Sequence, residues 1–85
     1  MDEKHQALVR DVEDACGVGH SYELLAPGET VNEGDFVVTR RGVPGCYVTQ
    51  RAVVRTVERY GVEVAYEDDN VVVVPTLSVV ARRRF

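Results

Sequence analysis

The chain has 85 residues, of which 45% are hydrophobic and 28% are charged, and its net charge is −4. This length fits one domain, and the composition excludes both a disordered chain and a membrane-embedded one. The charge is unevenly divided: residues 1–34 hold eight acids and two bases, whereas residues 35–85 hold six acids and eight bases. Such a division indicates either an interaction surface or two parts of one domain that attract each other.

The first predicted element is an amphipathic helix over residues 2–16. Gly17 is placed to end it, because glycine readily takes the left-handed conformation that follows a helix. The side chains that form one apolar stripe at helical spacing are Leu8, Val9, Val12, Ala15 and Cys16. This stripe predicts that the helix either packs on the rest of the chain or binds a second chain.

Residues 18–34 are predicted to form an irregular connector, and from residue 35 onward the chain has the composition of a β protein. Valine is abundant there, and turn residues separate short runs of branched side chains. Residues 68–70 are typical of a hairpin turn, and residues 76–78 allow one helical turn. We therefore predict five strands, at about 35–40, 46–58, 62–67, 71–74 and 79–85.

Four segments carry a resemblance to a known architecture. They are Gly34-Asp35-Phe36-Val37, Gly42–Gly45, Tyr66–Asn70 and Pro75-Thr76-Leu77. Their order resembles the SH3-like small barrels, including KOW and Tudor-type modules, over roughly residues 31–85. The resemblance implies a mainly β (α+β) fold, with a five-stranded barrel at 35–85 preceded by the connector at 18–34 and the N-terminal helix at 1–17.

The sequence contains no pattern that indicates an enzyme or a cofactor. Two cysteines and two histidines, His5, Cys16, His20 and Cys46, lack the paired spacing of zinc ligands. The carboxylates of residues 67–69 are neighbours on a hairpin tip, whereas acid–base catalysis needs a cleft that separates their pKa values. We therefore predict no catalytic residue, no metal and no cofactor, and a cytoplasmic location because no signal peptide is visible.

The leading functional hypothesis is a small protein–protein interaction module, an adaptor or regulator that exists as a monomer or weak homodimer. An acidic chain with divided charge and no catalytic constellation is typical of such proteins. The first long loop and the acidic hairpin are the predicted contact surfaces. The predicted protein-binding residues are Arg40, Arg41, Val43, Tyr47, Glu67, Asp68 and Asp69.

The alternative is a small barrel that binds RNA or DNA through an arginine-rich face. Arginines interleaved with aromatic residues can contact phosphates and stack on bases. Arg51, Arg55 and Arg59 fall on one side of the second strand, provided that the strand has no bulge. The residues predicted for this alternative are Arg40, Arg41, Arg51, Arg55, Tyr60, Arg82, Arg83 and Arg84.

A third hypothesis follows from the Tudor-type resemblance, since those barrels hold methylated lysine or arginine between aromatic rings. The candidate cage residues are Tyr22, Phe36, Tyr47, Tyr60 and Tyr66. Tyr66 shares one strand face with Val62 and Val64, so core packing is the competing prediction for it.

Overall fold

The computed structural model describes residues 3–16, 22–26, 29–43 and 45–83. Helix α1 spans Glu3–Cys16, and a single 3-10 turn spans Thr76–Ser78. The strands are β1 (Tyr22–Leu24), β2 (Phe36–Arg41), β3 (Val48–Glu58), β4 (Gly61–Tyr66), β5 (Val71–Val74) and β6 (Val79–Arg83). They form one antiparallel sheet in the order β1-β6-β2-β3-β4-β5. The prediction of a mainly β fold with one N-terminal helix is confirmed.

The sheet has six strands and is open, whereas the sequence predicted a closed barrel of five. The additional strand, β1, lies inside the predicted irregular connector and pairs with residues 81–83 of β6. The pairing continues past the strand, where the Leu25 N–H donates to the Val80 carbonyl at 2.9 Å. Within the described ranges, no pairing joins the end strands β1 and β5. Three residues are too few to show a period of two, so only the tertiary pairing reveals β1.

The sheet is strongly curled around one inner core. A register shift in β3 between Val54 and Thr56 marks a bulge, which bends the strand and increases its twist. Although two strands separate β4 from β6, Val62 and Val79 line the same cavity of about 30 Å³. The buried members of the inner core are Val31, Val37, Ala52, Val54, Val62, Val64, Tyr66, Val74 and Val79.

Helix α1 packs on the outer face of the sheet, opposite the inner core. Val12 is 6% exposed and forms a second buried cluster with Val38 of β2 and Ala81 of β6. Leu8 and Ala15 pack against the same cluster from the helix. Leu8, Val12 and Ala15 of the predicted apolar stripe therefore pack within the chain, whereas the side chain of Cys16 lies outside the described residues. This helix is too short and too polar to cross a membrane, and the described residues include no other candidate.

Ion pairs between described residues join the acidic first part of the chain to its more basic remainder. Asp11 of α1 lies 3.0 Å from Arg40 of β2, and Glu29 lies 2.8 Å from Arg82 of β6. Arg82 also donates to the Thr30 carbonyl at 3.2 Å. The uneven charge distribution thus includes direct attraction between two parts of one domain.

Candidate interaction surface

The segment between β2 and β3 turns through two glycines with left-handed backbone. Gly42 has φ 118° and Gly45 has φ 88°. A Cβ atom at Gly42 would collide with the carbonyl oxygen of Cys46, so this position requires glycine for both reasons. The Cys46 N–H donates to the Val43 carbonyl at 2.8 Å, which closes the turn. Pro44 lies outside the described residues.

Arg40 and Arg41 leave the end of β2 on opposite faces of the sheet. Arg40 lies on the outer face, where it pairs with Asp11 and its guanidinium carbon sits 3.8 Å from the ring centroid of Tyr47. Its side chain is only 16% exposed. Arg41 lies on the inner face, 5.3 Å from the ring centroid of Tyr66. Both arginines therefore fix the loop to the body of the protein.

The predicted hairpin turn lies between β4 and β5, and its acids have different partners. Asp69 takes the left-handed conformation with φ 67°, which aspartate tolerates. Asp68 accepts hydrogen bonds from the backbone N–H and the side-chain amide of Asn70, at 3.2 and 2.7 Å. Glu67 pairs with Arg51 of β3 at 2.8 Å. The turn is thus stabilised by its own side chains and tied to the neighbouring strand.

The strand register brings the loop and the hairpin to one end of the sheet. Arg41 pairs with Val48, and four residues farther along β3 Ala52 pairs with Tyr66. Arg41 over Tyr66, together with the Arg51–Glu67 ion pair, connects the two segments. We call the surface formed by residues 40–43, 45–48 and 66–70 the loop end. It contains all of the residues that the sequence predicted for protein binding.

The loop end carries three exposed apolar side chains beside charges of both signs. Val43 is 61% exposed, Tyr47 is 40% exposed and Val48 is 56% exposed. Val48 was not among the predicted site residues, because it lies at the start of a strand and its sequence pattern resembles that of the buried valines. Its solvent exposure follows from the position of β3, whose first residues extend beyond β4.

The arginines predicted for nucleic-acid binding are divided between both faces of the sheet. Arg41 and Arg82 lie on the inner face, whereas Arg83 lies on the outer face, 5.8 Å from the ring centroid of Phe36. The sequence predicted Arg51, Arg55 and Arg59 on one side of the second strand only if that strand has no bulge. This condition is not met, since β3 is bulged and Arg59 lies beyond its end. The arginines paired with carboxylates are Arg40, Arg51, Arg55 and Arg82, the Arg55–Glu63 contact being the longest at 3.9 Å. Arg84 lies outside the described residues.

The candidate cage aromatics are divided: Tyr22, Phe36 and Tyr66 line one pocket of about 280 Å³, whereas Tyr47 and Tyr60 lie outside it. Tyr66 is 7% exposed and shares the inner core with Val64, in agreement with the competing prediction of core packing. Tyr47 lies against Arg40 at the loop end. Tyr60 is 75% exposed in the turn between β3 and β4, at the opposite end of the sheet.

The candidate metal-binding set can be placed only in part. Cys46 is an exposed free thiol at the loop end. The side chains of His5, Cys16 and His20 lie outside the described residues. Among the side chains that are described, no three His, Cys, Asp or Glu residues lie close enough together to hold a metal ion.

A shallow groove of about 270 Å³ lies beside the loop end, between α1 and the hairpin. Its charged side chains include Arg51 and Glu67, which pair with each other. The other lining residues are Ala15, Gln50, Tyr66 and Asp68.

No family model, curated protein or solved structure matches this chain.

Proposed function

We propose that this chain is a non-enzymatic protein-interaction module whose contact surface is the loop end. The observation that carries the proposal is the exposure of Val43, Tyr47 and Val48 side by side with charged residues of both signs. Protein interfaces typically combine an apolar centre with a polar rim, and tyrosine is enriched in them. The partner is another protein.

The internal contacts of the loop end support this proposal. The Arg40–Tyr47 and Arg41–Tyr66 contacts hold the loop, and the Arg51–Glu67 pair holds the hairpin. Because these contacts form within the chain, little conformational freedom remains to be lost when a partner binds. Preorganisation of this kind raises affinity by lowering the entropic penalty of association.

The pairing of the arginines favours a protein partner over a nucleic acid. Affinity for nucleic acid arises mainly from cations that neutralise phosphates and release counterions. Arg40, Arg51 and Arg82 lie between 2.8 and 3.0 Å from carboxylates of the same chain. A phosphate backbone would have to displace these carboxylates, on a protein whose net charge is −4.

An SH3-like relationship of residues 31–85 is part of the proposal. It is supported by the order of the five longer strands, β6-β2-β3-β4-β5, and by the 3-10 turn at Thr76–Ser78 directly before the last strand. The bulge between Val54 and Thr56 also supports it, because bulges supply the bends that small barrels need.

The test is affinity capture from the native source with matched surface variants. A Val43→Ser/Val48→Ser double variant removes apolar contact area at the loop end without touching the buried cores. Tyr60→Ser is the control, since Tyr60 is also exposed but lies at the opposite end of the sheet. We expect one protein to be recovered with the wild type and with the control. Its affinity for the double variant should fall at least about tenfold, equivalent to about 1.4 kcal/mol.

Two results would contradict the proposal. One is equal recovery of the partner by the double variant and the wild type, with circular dichroism showing that both are folded. The other is recovery of no specific protein by any form of the chain at native abundance.

A further inference from the structure

The end strand β5 has an unusually unprotected edge. It pairs only with β4, and the described part of the chain supplies no backbone partner on its other side. Natural proteins usually protect such edges with charged side chains, proline or a bulge. β5 contains only valines, from Val71 to Val74, and its register with β4 is unbroken. The first proline, Pro75, follows the strand.

The two faces of β5 differ in burial. Val74 is 1% exposed, and Val72 packs against the inner core. On the outer face, Val71 and Val73 are 45% and 46% exposed. Val71 pairs with Ala65, the neighbour of Val53 on β3, so the exposed edge continues an apolar row across the sheet. An added strand would thus gain both backbone hydrogen bonds and apolar contacts.

We propose that β5 pairs with β5 of a second copy of this chain, antiparallel about a two-fold axis through Val72. In an antiparallel pair, residues directly opposite each other point to the same face of the sheet. The inner faces of the two copies therefore lie on the same side only if the axis places one residue opposite its own equivalent. An axis through Val73 would place Val71 opposite Pro75, which has no N–H to donate. An axis through Val72 places Val71 opposite Val73 of the second copy, so that the exposed valines cover one another.

Charge also favours this arrangement. In the antiparallel pair, Asp69 and its equivalent in the second copy lie six residues apart along the strand direction, a separation of about 20 Å. This exceeds the Debye length of about 8 Å at physiological ionic strength, so the acidic hairpins are screened from each other. A parallel pairing would place the two hairpins, each with Asp68 and Asp69, side by side.

The short edge predicts a weak association. Stable dimers usually bury more than about 1,200 Å² in total, whereas four residues per chain cover much less. The net charge of −4 on each copy adds repulsion at low salt. We therefore expect a dissociation constant on the order of 10⁻⁴ M, with rapid exchange between monomer and dimer.

The experiment is sedimentation equilibrium of the whole chain between about 10 µM and 1 mM, in reducing buffer to prevent disulfide formation through Cys16 or Cys46. We expect the average mass to rise toward that of a dimer. Val73→Lys should abolish the rise, because a charged side chain on the edge opposes strand addition. The lysine would face Glu63, which pairs with Val73 on β4, so the variant should fold. Val48→Lys is the control at another exposed valine, which lies at the loop end, and this variant should still dimerise.

The register has its own test. In a Cys16→Ser/Cys46→Ser background, Val71→Cys/Val73→Cys should form a covalent dimer on oxidation much faster than Val71→Cys alone, because only the double variant places thiols opposite each other. A chain that stays monomeric at about 1 mM would overturn the proposal, as would a dimer that survives Val73→Lys. If a different protein binds the monomeric wild type but not the Val73→Lys variant, then β5 is a site for a strand of that protein. This result would also overturn the proposal.

This inference is independent of the function proposed for the loop end. Val43→Ser/Val48→Ser addresses the loop end and Val73→Lys addresses β5, so one proposal can fail while the other holds.

Discussion

A buried hydrogen bond in the inner core connects two strands that are not neighbours in the sheet. The Tyr66 hydroxyl of β4 lies 2.7 Å from the Thr39 hydroxyl of β2, and both residues are buried. Tyr66 reaches Thr39 across β3 because the residue opposite Tyr66 is Ala52, whose side chain is small. Buried hydroxyl groups need partners, since an unsatisfied one retains its full desolvation penalty.

We expect Tyr66→Phe to lower the free energy of unfolding by about 1–2 kcal/mol, because it leaves the Thr39 hydroxyl buried without this partner. Thr39→Val should have a similar effect by leaving the tyrosine hydroxyl unpaired. The double variant should lose less than the sum, and urea denaturation of all four proteins gives the coupling energy. Strict additivity would show that the two hydroxyls do not interact.

The surroundings of Tyr66 show which contacts of a single residue can be predicted from the sequence. Alternation along β4 predicted that Tyr66 shares a face with Val62 and Val64, and all three lie in the inner core. Its partner Thr39 is 27 residues away in sequence, and no local pattern links them. Likewise, the arginines could be recognised in the sequence, but their carboxylate partners depend on register and on the position of α1.

At the scale of elements, an apolar cluster and the Asp11–Arg40 ion pair hold helix α1 to the sheet. Val12 is the most deeply buried of the helix side chains that the structure describes, and Asp11 beside it pairs with Arg40. An isolated helix of 14 residues is marginal in water. The helix therefore depends on packing against the sheet, where it contacts β1, β2 and β3 as well as Ala81 of β6.

We expect Val12→Ala to lower the free energy of unfolding by about 2 kcal/mol, from the lost burial of two methyl groups and the space that they leave. Glu13→Ala, on the exposed side of the same helix, is the control and should change stability by less than about 0.5 kcal/mol. Far-ultraviolet circular dichroism and tyrosine fluorescence should show coincident unfolding transitions. A helix that melts before the sheet would contradict this expectation.

The elements also show why strand prediction succeeded for the longer runs and failed for β1. Strands β2 to β6 contain enough branched residues between turns to be recognised, and each was placed within about two residues of its observed bounds. β1 has only Tyr22, Glu23 and Leu24, and it is a strand because β6 offers it an edge. The prediction of a closed sheet came from the resemblance to SH3-like barrels, and no single strand sequence encodes closure.

At the scale of the whole molecule, arginines of the chain pair with carboxylates of the same chain. Ion pairs connect α1 to β2, residue 29 to β6, and β3 to β4 and the hairpin that follows it. Exposed pairs of this kind add little stability individually. Their larger effect is on the surface potential, because each paired arginine is unavailable to an external anion.

We expect the protein to show no binding to a single-stranded RNA of roughly 30 nucleotides, even at about 50 mM salt, where phosphate contacts are strongest. Gel retardation measures this directly. An Asp11→Asn/Glu29→Gln/Glu67→Gln variant removes three acids that pair with arginines and provides the comparison, because its liberated arginines should bind RNA weakly and in a salt-sensitive way. Tight, salt-sensitive binding by the wild type would instead support the nucleic-acid alternative.

The bulge at Arg55 has a consequence for how this chain can vary in length. Before the bulge, Ala52 and Val54 face inward, and after it Val57 faces inward because one extra residue is accommodated there. Deletion of Arg55 would remove only the extra residue, so Thr56 would still face outward and Val57 inward, but β3 would lose the bend that the bulge provides. A one-residue deletion in β3 should therefore be tolerated better at Arg55 than at Ala52 or Val54, where it would move part of the strand's inward-facing side chains to the outer face.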